Sequence, residues 1–124
     1  MATILVVDDD SNSRLLAAAL LEPAGHTVIQ AAGAGDAYAR LSEYRVDLIL
    51  TDLSLPVTPG AAFIRELRSD PEYESTPIVL YTGSTAHDVI DDFMRIYRIS
   101  GLIQKPADPY GFVNSIESVL SAPS

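Results

Sequence analysis

Asp8, Asp9 and Asp10 stand together directly after the apolar run Thr3-Ile-Leu-Val-Val7, and a further carboxylate, Asp52, follows Leu48-Ile-Leu-Thr51. Thr82 closes a third apolar run. Lys105, the only lysine among eight basic residues, closes a fourth. Two unit charges about 4 Å apart repel by ~1 kcal/mol in water and ~4 kcal/mol at an effective dielectric of 20. Clustered aspartates therefore need a reason. One of the three, or Ser11, can cap a following helix, but a cap uses a single residue. A hard divalent cation relieves the rest, and a carboxylate-and-carbonyl site that leaves waters on the metal suits Mg²⁺. A cation site, a carboxylate nucleophile, a hydroxyl and a fixed ammonium are together the equipment for phosphoryl transfer onto Asp52. Taken singly, each has a blander reading. Asp52 can be a solvated turn aspartate, the three aspartates a capping turn with a spare acid, Thr82-Gly83-Ser84 a strand-to-helix turn, and Lys105 surface punctuation before Pro106. His26 and His87 fall in a turn and at a helix start and receive no role.

Whether these residues meet depends on the elements that carry them. Leu48, Ile49 and Leu50 show no 3.6-residue period and read as a strand buried on both faces, the kind found in a parallel sheet. Beyond Asp52, Pro56, Pro59 and Gly60 force a loop. Strands are expected over 3–7, 27–31, 48–51, 77–82 and 101–105. Helices are expected over 12–22, 36–44, 61–68, 85–98 and 110–121. In the first helix the apolar positions Leu15, Leu16, Ala19 and Leu20 recur at helical spacing, and Pro23 and Gly25 stop it. The second helix carries Ala37, Ala39 and Leu41. The fourth places Val89, Ile90, Phe93, Met94 and Tyr97 on one face, and the fifth turns Phe112, Val113, Ile116, Val119 and Leu120 inward. Five strand–helix alternations with short connections predict an α/β fold, a doubly wound five-stranded parallel sheet with helices on both faces. In the order 2-1-3-4-5, flavodoxin-like, the four strands ending in Asp8/Asp9, Asp52, Thr82 and Lys105 are neighbours. The second strand, ending in Ala31-Ala32-Gly33, is the edge. The crevice at the switch point then lies between Asp8/Asp9 and Asp52.

Composition narrows the field. The 124 residues form one expected domain, 1–124, with no linker or repeat, and 48% apolar residues mark it as globular. No apolar run approaches the roughly 18 residues of a membrane span, and the N-terminus lacks the basic n-region of a signal peptide. A cytoplasmic location is expected. The absence of cysteine excludes disulfides and thiolate chemistry. A net charge of −9 makes the domain a poor nucleic-acid binder.

The runs Ile4-Leu-Val-Val-Asp-Asp-Asp10, Asp47-Leu-Ile-Leu-Thr-Asp-Leu-Ser-Leu-Pro56 with Gly60, Pro77-Ile-Val-Leu-Tyr-Thr-Gly83 and Lys105-Pro106 occur in order over the whole chain. In these the sequence resembles the receiver domain of two-component response regulators, of the stand-alone, chemotaxis-regulator-like kind. The resemblance implies a phosphorylation-dependent signalling switch rather than an enzyme, one that assists its own phosphorylation and slow dephosphorylation. It implies Asp52 as phosphoacceptor and Mg²⁺ (or Mn²⁺) held by Asp9, Asp52 and the Ser54 carbonyl, with Asp8 acting largely through water. Thr82 and the Gly83 N–H would meet the phosphoryl oxygens, and Lys105 would pair first with Asp52 and then with the phosphoryl group. The Lys105–Pro106 bond is expected to be cis. A histidine kinase or histidine phosphotransfer protein would be the donor. Output would run through the fourth helix, fifth strand and fifth helix to a partner protein, with a homodimer possible on phosphorylation and no membrane or nucleic acid contacted directly.

Three departures from the family pattern matter. Leu102 stands at the aromatic switch position, Ala107 follows Lys-Pro in place of a frequent phenylalanine, and Ser54 and Ser84 stand at positions that tune attack of water on the acyl phosphate. The two serines predict an intermediate phosphate lifetime. Two alternative readings stand beside the resemblance. A haloacid-dehalogenase-type phosphatase opens Asp-x-Asp but continues Gly-Thr, where this chain has Ser11-Asn12. A receiver-like scaffold that is never phosphorylated is argued against by the intact Asp8, Asp9, Asp52, Thr82 and Lys105.

Overall fold

The structure, a computed structural model, describes residues 2–53, 59–83, 87–105 and 107–122. Five strands, β1 (Thr3–Val7), β2 (Thr27–Ala31), β3 (Leu48–Thr51), β4 (Ile78–Thr82) and β5 (Gly101–Gln104), alternate with five helices. These are α1 (Ser11–Leu21), α2 (Ala34–Glu43), α3 (Gly60–Ser69), α4 (His87–Ile96) and α5 (Pro109–Ser121), with a short 3₁₀ turn, Glu22–Ala24, after α1. All four strand pairings are parallel, in the order β2-β1-β3-β4-β5. The expected flavodoxin-like architecture is the one observed. No helix among the described residues is long and apolar enough to cross a membrane.

Strand alternation divides the core into two layers. Leu5, Val7, Ile49, Ile78 and Leu80 face one way, onto Ala37 and Leu41 of α2, Phe63, Ile64 and Leu67 of α3, and Ile90 of α4. Ile4, Val6, Leu48, Leu50, Val79, Tyr81 and Ile103 face the other way, onto Ala17 and Leu21 of α1 and Phe112 and Ile116 of α5. Every residue of β3 is buried, as its unbroken apolar run predicts. The sheet is therefore sealed on both sides, and polar side chains from its centre reach solvent only at the strand ends.

One expectation needs correction. Leu15 and Leu16 are 59% and 48% exposed, and Ala19 is exposed too. The buried face of α1 is instead Ala17, Ala18 and Leu21. Residues 15–21 read Leu-Leu-Ala-Ala-Ala-Leu-Leu, apolar all round, so spacing within the run does not single out a face. Packing chooses the alanines, whose small side chains let the helix approach the sheet closely. Ala39 of α2 is likewise exposed. Gly60, read as part of the loop, is the first residue of α3.

The fourth helix ends at Ile96 rather than continuing to residue 98, while residues 85 and 86 at its expected start lie outside the described residues. Arg98 adopts a left-handed φ of 54°, and the Ile99 N–H donates to the Met94 carbonyl at 2.9 Å. That is the 6→1 bond of a Schellman-type helix end. Arg68, at the end of α3, secures this turn. Its guanidinium donates to the carbonyls of Tyr97 (2.7 Å), Tyr73 (2.9 Å), Glu74 (3.2 Å), Thr76 (2.8 Å) and Arg98 (3.2 Å). One side chain thus ties the α3–β4 connection to the α4–β5 connection. Replacing Arg68 by Met leaves five carbonyls without this donor and is expected to cost roughly 2–4 kcal/mol. Urea unfolding of the variant checks it; a midpoint equal to that of the parent protein would show the clamp to be dispensable.

Candidate functional site

Parallel register brings the strand ends together. Val7 pairs with Thr51, so Asp8 and Asp52 leave the sheet side by side, and the Asp52 N–H donates to the Val7 carbonyl at 3.2 Å. Thr82 pairs with Gln104, and the Lys105 N–H donates to the Thr82 carbonyl at 3.0 Å. Lys105 then reaches back across β4. Its Nζ lies 2.6 Å from Asp8 Oδ2 and 2.8 Å from Asp52 Oδ2. Asp8, Asp52 and Thr82 are 2%, 7% and 1% exposed, so Asp52 is no solvated turn aspartate. Two carboxylates held this close in a buried crevice repel strongly, and the ammonium between them offsets that repulsion.

The electrostatics of Lys105 follow from its position. Burial by itself pulls its pKa down. The hydrogen bonds to Asp52 and Asp8, reinforced by their charge, outweigh burial and hold the ammonium above its ordinary value. The face of the Tyr81 ring, 5.0 Å from centroid to Nζ, adds a cation–π contact.

The three adjacent aspartates divide their work. Asp8 uses Oδ2 for Lys105 and Oδ1 for the Asp10 N–H at 3.0 Å. Its carbonyl accepts from Arg14 Nη1 at 2.6 Å. Asp10, rather than Ser11, caps α1, accepting from the Asn12 N–H at 2.9 Å and the Ser13 hydroxyl at 3.3 Å. Asp9 is exposed and, unlike Asp8 and Asp10, takes part in none of these bonds.

The backbone beyond Asp52 is held by α3. The Gly60 N–H donates to the Leu53 carbonyl at 2.9 Å. A Cβ at Gly60 would lie 2.1 Å from the Asp52 carbonyl oxygen and 2.8 Å from Leu53 Cα, so only glycine fits. At Gly83, by contrast, a Cβ would meet nothing within 4 Å. The space there is open, so a Cβ at that position meets no described atom. A cavity of about 590 Å³ lined by Tyr44, Asp47, Tyr73 and Pro77 lies at the opposite ends of the strands and shares no residue with this cluster.

Of the expected site residues, Asp8, Asp52 and Lys105 are in direct contact, and Thr82 and Gly83 adjoin them through the backbone at the end of β4. Ser54, Ser84 and Pro106 lie outside the described residues. Leu102 is half-buried on the α2/α3/α4 face, and Ala107 packs on the α1/α5 face. Tyr81 went unnoticed in the sequence, yet its signal was present. It pairs with Ile103, and Lys105, two residues further on, shares that face.

Residues 4–117 match the family model of the response regulator receiver domain. The chain belongs to that family. Over 125 aligned residues it is 33% identical to the phosphate regulon transcriptional regulatory protein PhoB of Pseudomonas aeruginosa, covering 95% of this chain and 51% of that protein. Over 114 residues it is 32% identical to the CAI-1 autoinducer sensor kinase/phosphatase CqsS of Vibrio cholerae, covering 91% of this chain and 16% of that protein. The chain therefore spans only part of these two relatives. Protein PilH of Pseudomonas aeruginosa, 28% identical, is matched over 98% of this chain and 99% of its own length. Among solved structures, the chemotaxis response regulator CheY4 of Vibrio cholerae superposes with a TM-score of 0.87 at 29% identity, covering 96% of this chain and 98% of that one. Receiver domains accept a phosphoryl group for signalling and are not enzymes acting on a separate substrate, which sets the phosphatase alternative aside.

Members of the receiver family typically depend on Mg²⁺. The donor set here fits that ion. No group of three carboxylate or imidazole side chains is gathered among the described residues. Mg²⁺, however, is usually held by one or two carboxylates and keeps several waters. Asp52, buried in the crevice, and Asp9, exposed next to Asp8, are the two carboxylates that would form such a pair, with Asp8 already engaged through both oxygens.

Two outcomes follow from this geometry. Gly60→Ala must displace either the Asp52 backbone or the start of α3, and is expected to cost about 1–3 kcal/mol in chemical unfolding; full stability would refute the close approach. Lys105→Met leaves Asp8 and Asp52 facing each other, and at neutral pH is expected to cost about 1–3 kcal/mol, discounted for the partial exposure of Lys105. A pKa raised in the folded state means that this stabilisation is fully present below the ordinary lysine value of 10.5 and is lost as pH rises through the higher folded value. The stability difference between parent and variant should stay level from pH 7 to 10 and shrink above that range, as unfolding curves at stepped pH would show.

Proposed function

We propose that Asp52 is the phosphoacceptor of this receiver and that Asp8, Asp9, Thr82, Gly83 and Lys105 serve its phosphorylation. The observation that carries the reading is the Lys105 ammonium, 2.6 Å from Asp8 and 2.8 Å from Asp52 at the sheet's switch point. A carboxylate oxygen of Asp52 attacks phosphorus in line. The bond from phosphorus to the donor's leaving atom breaks as the new O–P bond forms, and the leaving group departs with the electron pair. No general base is needed, because the nucleophile carries no proton to remove. As charge accumulates on the transferring oxygens, Lys105 follows it, exchanging Asp52 Oδ2 for a phosphoryl oxygen. The Thr82 hydroxyl and the Gly83 N–H are the proposed donors to the other phosphoryl oxygens.

Asp9, Asp52 and the Ser54 carbonyl would hold Mg²⁺, with Asp8 acting through water. When bound, the ion would neutralise charge shared by the carboxylate and the phosphoryl group. The donor is a histidine kinase or histidine phosphotransfer protein; the sensor histidine kinase AruS of Pseudomonas aeruginosa, like CqsS, contains a segment similar to this chain. Output is altered protein binding through α4, β5 and α5.

The test is incubation with acetyl phosphate and Mg²⁺. Mass spectrometry should find one acid-stable, base-labile phosphoryl group on Asp52, absent in Asp52→Asn and absent with a chelator. Modification at another residue, or none, would defeat the proposal. Mg²⁺ at ten times its dissociation constant should stabilise the fold by about 1.4 kcal/mol. Asp9→Asn should shift that stabilisation to higher Mg²⁺ concentration in thermal melts.

A further inference from the structure

Two carboxylates account for two sides of the Lys105 ammonium, and an aromatic ring accounts for a third. Tyr81 is 4% exposed, and its ring lies beneath Nζ at 5.0 Å from centroid to nitrogen. The ring is itself fixed from below. Phe112 of α5, 1% exposed, meets it edge-on, with centroids 5.2 Å apart and planes at 67°. The contacts Phe112–Tyr81–Lys105 therefore run from the α5 core to the crevice, where the ammonium touches both Asp8 and Asp52.

We infer that Tyr81 is a positioning residue for phosphoryl transfer, acting through Lys105. An ammonium has three N–H donors and a flexible four-carbon stem, so the single contact to Asp8 that remains while the Asp52 partner is exchanged leaves it free to swing. A ring face attracts the cation but competes weakly for its protons. That combination suits a group that must exchange one oxygen partner for another without leaving the crevice. Carboxylate contacts hold the ammonium before transfer, and the ring holds its place while the partner changes. The role rests on the phosphoacceptor reading of Asp52, whereas the placement of the ammonium over the ring does not.

Lys105 is the only lysine, so lysine-selective isotope labelling yields one set of side-chain signals. In the parent protein the Lys105 side-chain protons should be shifted upfield by the Tyr81 ring current. Tyr81→Phe should preserve that shift, and Tyr81→Leu and Tyr81→Met should lose it. At saturating acetyl phosphate and Mg²⁺, the Leu and Met variants should be phosphorylated about three- to tenfold more slowly, and Phe should restore the rate to within about twofold. In a Lys105→Met background, Tyr81→Leu should cause no further loss. That last result separates positioning of Lys105 from a general packing role, and the same spectra report whether each variant is folded. An unshifted lysine signal in Tyr81→Leu would overturn the inference, as would an equal slowing with Lys105 already removed. If the parent protein takes no phosphoryl group, the phosphoacceptor reading fails and the positioning role falls with it, while the lysine signals still report the placement.

Discussion

The structure turns on one ammonium. Lys105 contacts Asp8 and Asp52, residues 97 and 53 positions away, and so joins the ends of β5, β1 and β3 across the intervening β4. Buried carboxylates are costly without a counter-charge, and here two of them share one. This makes the site and the topology mutually dependent. An order that parted β1 from β3 would leave Asp8 and Asp52 apart, one that moved β5 away from β4 would put Lys105 out of reach, and without Lys105 the crevice would hold two facing negative charges. The surrounding contacts keep that arrangement in register. The Asp52 N–H is tied to Val7, the Lys105 N–H to Thr82, and Gly60 lets the start of α3 press against the Asp52 backbone.

Much of this was legible because the chain writes it in strong local signals. Short apolar runs ending in chemistry-bearing residues marked the strands, and the order 2-1-3-4-5 agrees with where the polar residues fall, with the one silent strand end at the edge. Aspartates at 8, 9 and 10 were legible as a cluster but not as individuals. Asp10 and Ser11 are both good caps, and only the backbone conformation decides between them. The outward turn of Leu15 and Leu16 was hidden for a different reason. A helix surface that is apolar on every side carries no phase information, and the decision passes to packing, which favours the alanines. Arg68 was hidden too, because its five partners are backbone carbonyls, and carbonyls have no residue type to read.

Tyr81 and Leu102 show what strand parity adds. In the family pattern that the sequence resembles, the position of Leu102 is the aromatic switch position, and leucine there is a departure from it. The described residues do contain an aromatic ring against the site lysine, but on the other face of the sheet. Leu102 lies with α2, α3 and α4, whereas Tyr81 lies with α1 and α5. Because the sheet is sealed on both faces, a side chain on one face does not swing through to the other.

The consequence concerns how the site is connected to the surface. A leucine at 102 offers no ring to the ammonium and no hydroxyl to Thr82, and it lies on the α2/α3/α4 face. On the opposite face the contact is continuous, from Nζ to the Tyr81 ring and from that ring to Phe112. Phe112 sits in the first turns of α5, a helix whose start is fixed by the Asp108 cap on the Gly111 N–H. Close-packed aromatic side chains transmit displacement rather than absorb it. Among the described residues, the aromatic contact that leads away from the Lys105 ammonium therefore runs toward α5.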